Sequence, residues 1–358
     1  MTVTALTPGP RAHGRRGGRV IVPAVASCLA AAISLAACGS SADDGASAGS
    51  GASAGSGASS AATSKTVHVG VLQLASATVI DQTVAAFEQE LKTKLAPRPI
   101  SFDVKNAQGD QSLITSIARS FAQSDSDGVA VIGTPAVVAL AQQTRDKPVF
   151  ALAMGDPVGA KVAQSLERPG KNVTGSVDYV DPAVLLRSIM KISPAPKRIG
   201  TIYDPSNQNM QVWIRALRAA VAKYPGVSVV ESTISGAQDV PSAARSLTGR
   251  VDAELIGPDA TVLSALPVVG SAAAGARLPV YVCGGDATVA GILASIGPDY
   301  PTLGRLAADA AAKVLTGTPA AEVAFGQPSG VEFSVQKATM TRLGITLAPD
   351  LLTSATVQ

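Results

Sequence analysis

The chain carries side chains suited to holding a charged small molecule and few of those needed to transform one. Thr134-Pro135-Ala136 follows the apolar run at 129–132 and opens a helical pattern through Leu140. A helix start leaves backbone N–H groups unpaired at the positive end of a dipole, which suits a carboxylate. The same residues allow a plainer reading, with Thr134 as N-cap and Pro135 at the first helical position. Tyr203-Asp204-Pro205-Ser206-Asn207 repeats this arrangement further along, so Ser206 and Asn207 carry the same two readings and Tyr203 is a candidate beside them. Asp156, Asp178, Asp259 and Asp286 each follow a strand-like run or a connecting segment. A zwitterionic ligand needs an acid opposite its ammonium, and a buried acid needs such a partner. Asp156 before Pro157 also reads as a turn start, and Asp259 before Ala260-Thr261 as a helix cap. Asp286 and Asp178 therefore lead; if the ligand is a zwitterion, its carboxylate is expected at 134–136 and its ammonium opposite, at Asp286.

Catalytic constellations are sparse. Beyond residue 38 the chain has one histidine, His68, at the start of the first strand pattern, and one cysteine, Cys283, so a nucleophile–histidine system lacks parts. The glycine-containing segment 270–275 has no Gly-Lys-Ser/Thr ending, and no Gly-x-Gly-x-x-Gly follows the first strand. Asp125-Ser126-Asp127-Gly128 has no closing glutamate at calcium-loop spacing. No catalytic residue, cofactor or metal is expected. Trp213 shares a helix face with Met210 and Leu217 and reads as core rather than as a ligand platform.

The positions of these residues depend on how the chain is delivered and divided. Arg11, Arg15, Arg16 and Arg19 precede an uncharged, mostly apolar run that ends at Cys38, the layout of an export signal. Leu35-Ala36-Ala37-Cys38 fits a lipobox, whose cysteine is acylated after cleavage. Val25-Ala26-Ser27-Cys28 fits locally but lies too close to Arg19 for a hydrophobic segment of ~7 to 15 residues. Four of the 29 basic residues and none of the 26 acidic ones precede Cys38, which leaves the mature chain at about −1. Nothing in that balance favours nucleic acid. With Cys28 removed and Cys38 acylated, Cys283 has no disulfide partner. Residues 39–64 collapse to Gly, Ala and Ser, a flexible tether.

From Val67 onward, strand-like and helix-like patterns alternate. The run 67–72 precedes Ile80, Val84, Phe87, Leu91 and Leu95 at helical spacing, and the same beat continues to Cys283. Such alternation predicts an α/β fold of parallel sheets covered on both faces. One sheet would hold too many strands, so two doubly wound lobes are expected. Connections between them are expected at 172–177, 294–296 and 331–333. The divisions are a signal at 1–37, a linker at 38–65, one lobe from 66–177 plus 297–328, and a second from 178–296 plus 329–345. In open sheets of this kind, ligands sit at the carboxyl ends of strands.

Seven segments at those strand ends occur in a telling order. They are Gly70-Val71-Leu72-Gln73, Asn106-Ala107-Gln108-Gly109-Asp110, Thr134-Pro135-Ala136, Asp156-Pro157-Val158-Gly159-Ala160, Pro169-Gly170-Lys171-Asn172-Val173-Thr174-Gly175, the Tyr203 segment, and Gly284-Gly285-Asp286. Together, across 66–345, they resemble the ABC transporter substrate-binding family that includes tryptophan- and tyrosine-binding lipoproteins. The resemblance implies a type I periplasmic-binding-protein fold with a three-crossing hinge, a non-enzymatic role, and an amino-acid ligand, aromatic in some members. It adds Gln73, Ser76 and Ala136 to the ligand-binding candidates. Many members carry Glu-His-Pro where this chain has Ser76-Ala77-Thr78, so a charged and an aromatic-like group are missing from the first loop. The implied partners are an ABC permease and ATPase; the alternative is a sensor that signals to a membrane receptor. The protein is expected to be a monomer on the outer face of the cytoplasmic membrane. Cys38→Ala is expected to abolish lipid attachment and release the chain from membranes with its fold intact; mass spectrometry of the anchored peptide checks this, and acyl chains on Cys28 would refute it.

Overall fold

In the computed structural model, which describes residues 65–191, 195–349, 351 and 355–358, the alternation of the sequence becomes two separate sheets. Cys38, the export signal and the Gly/Ala/Ser tether lie outside the described residues. The first half runs β1 (Val67–Gln73), α1 (Thr78–Leu95), β2 (Ile100–Asn106), α2 (Gln111–Ala122), β3 (Gly128–Ile132), α3 (Thr134–Gln143), β4 (Val149–Leu152) and β5 (Val173–Gly175). Its strands pair in parallel in the order β2-β1-β3-β4-β5. The second half runs α4 (Pro182–Ile189), β6 (Arg198–Tyr203), α5 (Gln208–Val221), β7 (Ser228–Thr233), α6 (Val240–Leu247), β8 (Ala253–Ile256), α7 (Ala260–Ser264), α8 (Leu266–Ala276), β9 (Val280–Cys283) and β10 (Ala294–Gly297). After these come α9 (Tyr300–Leu315), β11 (Glu332–Val335), α10 (Lys337–Leu343) and β12 (Thr356–Val357). The second sheet is ordered β12-β11-β10-β9-β8-β6-β7, with β11 antiparallel to β10.

The central strands of both sheets are buried on two faces, which explains why they read as continuous apolar runs, whereas the edge strands β2 and β7 are partly exposed and mix polar with apolar residues. In the first, Val67, Val69 and Val71 pack with Phe87, Leu91 and Ala307 on one face, while Leu72, Val129 and Val131 meet Ile114, Phe121 and Leu140 on the other. In the second, Ile199, Leu255 and Tyr281 pack under α4 and α5, and Ile256, Val280 and Val282 under α6 and α8. Trp213 is fully buried in the first of these clusters, its indole Nε1 donating to the Val180 carbonyl at 3.2 Å, in line with its reading as core.

The connections between sheets differ in detail from expectation. Residues 294–296, expected as a crossing, form a strand pairing β9 and β11; the crossing follows at 298–299, where Asp299 caps α9. The apolar Ala-Ser-Ile run suits a strand interior, and the chain turns only where Pro298 removes a donor. Helix α9 follows a strand of the second sheet yet packs on the first, with Ala307, Ala308 and Ala311 buried in its core. The 172–177 segment likewise contributes β5 to the first sheet, and Ser176 bridges to Gly326 as the chain crosses again. Phe333 belongs to β11, so the third connection ends near residue 331.

One core residue runs against the pattern. Glu254 on β8 is 1% exposed and its Oε2 has no hydrogen-bond partner among the described residues. Burial pushes its carboxyl up to about 7. A folded pKa above the unfolded one favours the fold below about pH 4, an advantage lost as pH rises through 7. Glu254→Gln is therefore expected to stabilise the protein at pH 8 by roughly 3 kcal/mol. At pH 4 it should change little, and urea denaturation at the two pH values checks the difference.

Candidate functional site

The parallel strands of both sheets deliver their carboxyl ends to one cleft, and a small cavity lies there. Its walls come from the residues after β3 (Gly133, Thr134), after β4 (Ala153), after β5 (Asp178), after β6 (Asn207, Asn209), after β8 (Pro258, Ala260) and after β10 (Tyr300), with Ile80 and Leu263 closing it. Its volume is about 30 Å³, room for a water or two and not for an aromatic amino acid. A larger depression of about 990 Å³ opens beside α3, between exposed Arg145, Lys161 and Lys171 and the α5 residues Gln208 and Gln211. Size alone does not make it the site, because its charged walls are solvated and strand ends do not converge on it.

The cavity is built by local rules. Gly133 takes φ +103 at the N-cap of α3, and a Cβ there would lie 2.6 Å from the Leu74 side chain, so the turn from β3 into α3 requires glycine. Thr134 is thus the first helical residue and makes no capping hydrogen bond, which corrects its reading as N-cap. The Gly133 carbonyl accepts from both Ala136 and Val137, at 3.0 and 3.1 Å. The amide of Ala136 is therefore already occupied, and Ala136 is fully buried. Thr134 remains on the cavity wall.

Asp178 is the charged group of this cavity. It is 5% exposed; Tyr300 Oη donates to its Oδ2 at 3.3 Å, and its Oδ1 has no partner among the described residues. Burial raises its pKa to about 6 against the lowering effect of the Tyr300 hydrogen bond. The Tyr300 hydroxyl and the Cys283 thiol are pushed up in turn, mainly by burial and also by the neighbouring carboxylate. Asn207 caps α5 by accepting from the Asn209 amide and lines the cavity.

The remaining candidates lie elsewhere. Asp259 is fully buried and caps α7, with one oxygen accepting from Thr261 N at 3.0 Å and the other from Asp204 N at 2.8 Å. Burial pushes it up to about 6; its role there is to pin the β6–α5 turn. The Tyr203 hydroxyl donates to Glu231, which Arg218 holds from α5, so it points away from the cavity. Ser206 is exposed, its amide donating to Asp204 within a tight turn. Asp156 accepts from Gly159 N at 2.7 Å, which is the turn reading. Gln73 is buried between Asp81 and Asn106, and Asn106 also donates to Ser76; Ser76 and Asn106 line an open depression at the cleft mouth. Asp286 accepts from Thr288 N and Oγ1 and lines rim cavities with Thr78 and Val79. The structure therefore does not bring Asp286 to Thr134; Asp178 is the acid beside it. Tyr300 and Asn209 escaped the sequence reading. Tyr300 is marked only by its place before Pro301 at a crossing, and Asn209 only by following the capping Asn207 by two residues.

Residues 68–358 match the model of the family described as ABC transporter substrate binding protein. The chain belongs to this family. A tyrosine-binding protein of Clostridioides difficile (strain R20291) is 30% identical over 283 residues, covering 78% of this chain and 82% of the relative. A solved Streptococcus pneumonia ABC domain in complex with L-Trp is 28% identical with a TM-score of 0.76, covering 82% of this chain and 99% of that one. The ligand-free, open structure of a Clostridium difficile substrate-binding protein with adhesive properties is 29% identical at the same coverages, with a TM-score of only 0.57. The fold is that of a type I periplasmic binding protein, and members of the family are non-enzymatic proteins that bind small molecules and work with ABC transporter components outside the cytoplasm. Because the tyrosine hydrogen bond favours the charged carboxylate, Tyr300→Phe is expected to move the Asp178 titration above 6. Carboxyl-carbon NMR titration of parent and variant checks the direction.

Proposed function

We propose that the chain is the receptor for an amino acid, held between lobes 66–177 plus 297–328 and 178–296 plus 329–345 and released to an ABC permease driven by its ATPase. The observation that carries this reading is the unpartnered Asp178 Oδ1, buried at the strand ends of both sheets. An isolated buried carboxylate oxygen is costly, and an ammonium is the group that relieves it. The names of the relatives, one tyrosine-binding and one in complex with L-Trp, support an amino acid as the source of that ammonium. Thr134 then faces the ligand carboxylate with its hydroxyl and its helix-start amide.

The remaining features fit a tethered monomeric receptor. The lipid at Cys38 would hold it to the outer face of the cytoplasmic membrane, and residues 39–64 would give it reach. A cavity of about 30 Å³ has no room for an amino acid, so the lobes separate to load and close again around the ligand. Closing brings Asp178 and the second-lobe residues to the ligand at once, which couples binding to closure.

Calorimetry with a panel of amino acids, including L-tyrosine and L-tryptophan, tests the proposal. At least one is expected to bind, and Asp178→Asn is expected to weaken it by roughly 30-fold or more, the effect of unpairing a desolvated charge. Affinity within twofold of the parent in a folded variant would remove Asp178 from the site.

A further inference from the structure

Gly155 lies just after β4 in the first lobe, and Asn209 in the first turn of α5 in the second. A Cβ built on Gly155 would fall 1.7 Å from Asn209 Oδ1, 2.4 Å from its Cγ and 2.8 Å from its Nδ2. Ordinary carbon contacts need about 3.5 Å. The whole amide head, and not one flexible tip, therefore rests on the glycine. Nor can that head swing aside freely, because Asn209 is 3% exposed, its Nδ2 donates to the Pro258 carbonyl at 3.2 Å, and its backbone N–H is held by Asn207 Oδ1 at 3.1 Å. A carbonyl only accepts, so the nitrogen must face Pro258 and the oxygen must face Gly155.

That oxygen has no hydrogen-bond partner among the described residues, and Asn209 lines the same cavity as Asp178, whose Oδ1 is equally without one. Two residues that each carry an orphaned acceptor thus line one small cavity, one from the connection between lobes and one from the second lobe. Buried acceptors without donors are rare in folded proteins, and two in one cavity call for a group that donates to both.

We propose that Asn209 Oδ1 is the second-lobe acceptor for the ligand's N–H, and that Gly155 is the positioning residue whose missing side chain lets the lobes close far enough to deliver it. This rests on the receptor reading and adds to it a steric determinant of closure. A methyl group at 155 would hold α5 back by more than an ångström. Hydrogen bonds of this kind span only about 2.7 to 3.2 Å, so the acceptor would then miss a ligand nitrogen held by Asp178.

The test is a double-mutant cycle in the full chain, with L-tyrosine and L-tryptophan as probes, calorimetry for affinity and small-angle scattering for closure. Gly155→Ala is expected to weaken binding at least tenfold and to abolish ligand-induced compaction, with the melting temperature of the ligand-free chain unchanged. Asn209→Ala is expected to weaken binding but keep the compaction. The double variant should regain compaction and bind as Asn209→Ala does alone, since removing the amide makes room for the methyl group. A loss of packing unrelated to closure would not be rescued in this way. Gly155→Ala binding within twofold of the parent, or its penalty persisting in the Asn209→Ala background, overturns the proposal. If neither amino acid binds the parent, the amino-acid reading and the proposal built on it fail together, whereas parent binding that Gly155→Ala leaves intact overturns the proposal alone.

Discussion

A carboxylate shut away from water without a cation is the constraint around which this protein is arranged. Asp178 sits where the chain leaves the first sheet for the second, with the Tyr300 hydroxyl donating to its Oδ2 and no partner for its Oδ1 among the described residues. Desolvation of such a group costs several kcal/mol when nothing opposes it. A fold optimised for stability alone would place an apolar residue there. On the proposed reading, the acid is kept because a ligand's ammonium would pair with it on closure. Tyr300 belongs to the same device: it follows a different crossing, so its hydrogen bond to Asp178 ties two of the three connections together.

The rest of the fold can be understood as the means of bringing polar groups to that point without burying polar backbone. Parallel strands end together, and the ends of β3, β6, β8 and β10 pass into helices whose first residues or caps line the cavity. Several of these caps are internal: Asp110 holds α2, Asp181 α4, Asn207 α5, Asp259 α7 and Asp299 α9. The acids and amides that cluster near the cleft therefore divide into two jobs. Those whose oxygens are occupied by backbone N–H groups shape the loops, and those left with an empty oxygen are available to a ligand.

That division also explains what could be read from the sequence. The two lobes, the parallel sheets and the buried Trp213 were legible because apolar periodicity is a property of whole elements and tolerates errors at their ends. Residues 294–296 misled because a short apolar run reads equally well as a connector or as a strand, and only pairing with β9 and β11 decides. Among the acids, sequence spacing could show that each follows a strand but not which oxygens the backbone would claim. Asp286 and Asp178 looked equivalent, yet a Thr two residues on occupies one Asp286 oxygen, while nothing near Asp178 in sequence can reach its Oδ1. Thr134 looked like a cap because the glycine ahead of it carries no side chain, although it is the φ +103 of Gly133 that makes the turn. Asn209 was hidden for a related reason: its meaning depends on Gly155, more than fifty residues earlier and in the other lobe.

Three buried acids, Asp178, Glu254 and Asp259, share a shift in the same direction, and burial is the largest cause for each. All three favour the folded, ligand-free chain at low pH and lose that contribution as pH rises, because each binds its proton more tightly folded than unfolded. Asp178 alone lies on the wall of the cavity at the strand ends, so its contribution can change sign. An ammonium beside it would hold the carboxyl charged and pull its pKa down, so that the liganded protein gains from the same rise in pH that weakens the empty one. Glu254 has no such outlet, since it is sealed under α6 and α8 at the far end of its strand from the cleft. The pH dependence of stability in the empty protein is therefore a sum over all three acids, and a ligand ammonium at Asp178 would reverse the contribution of that acid alone.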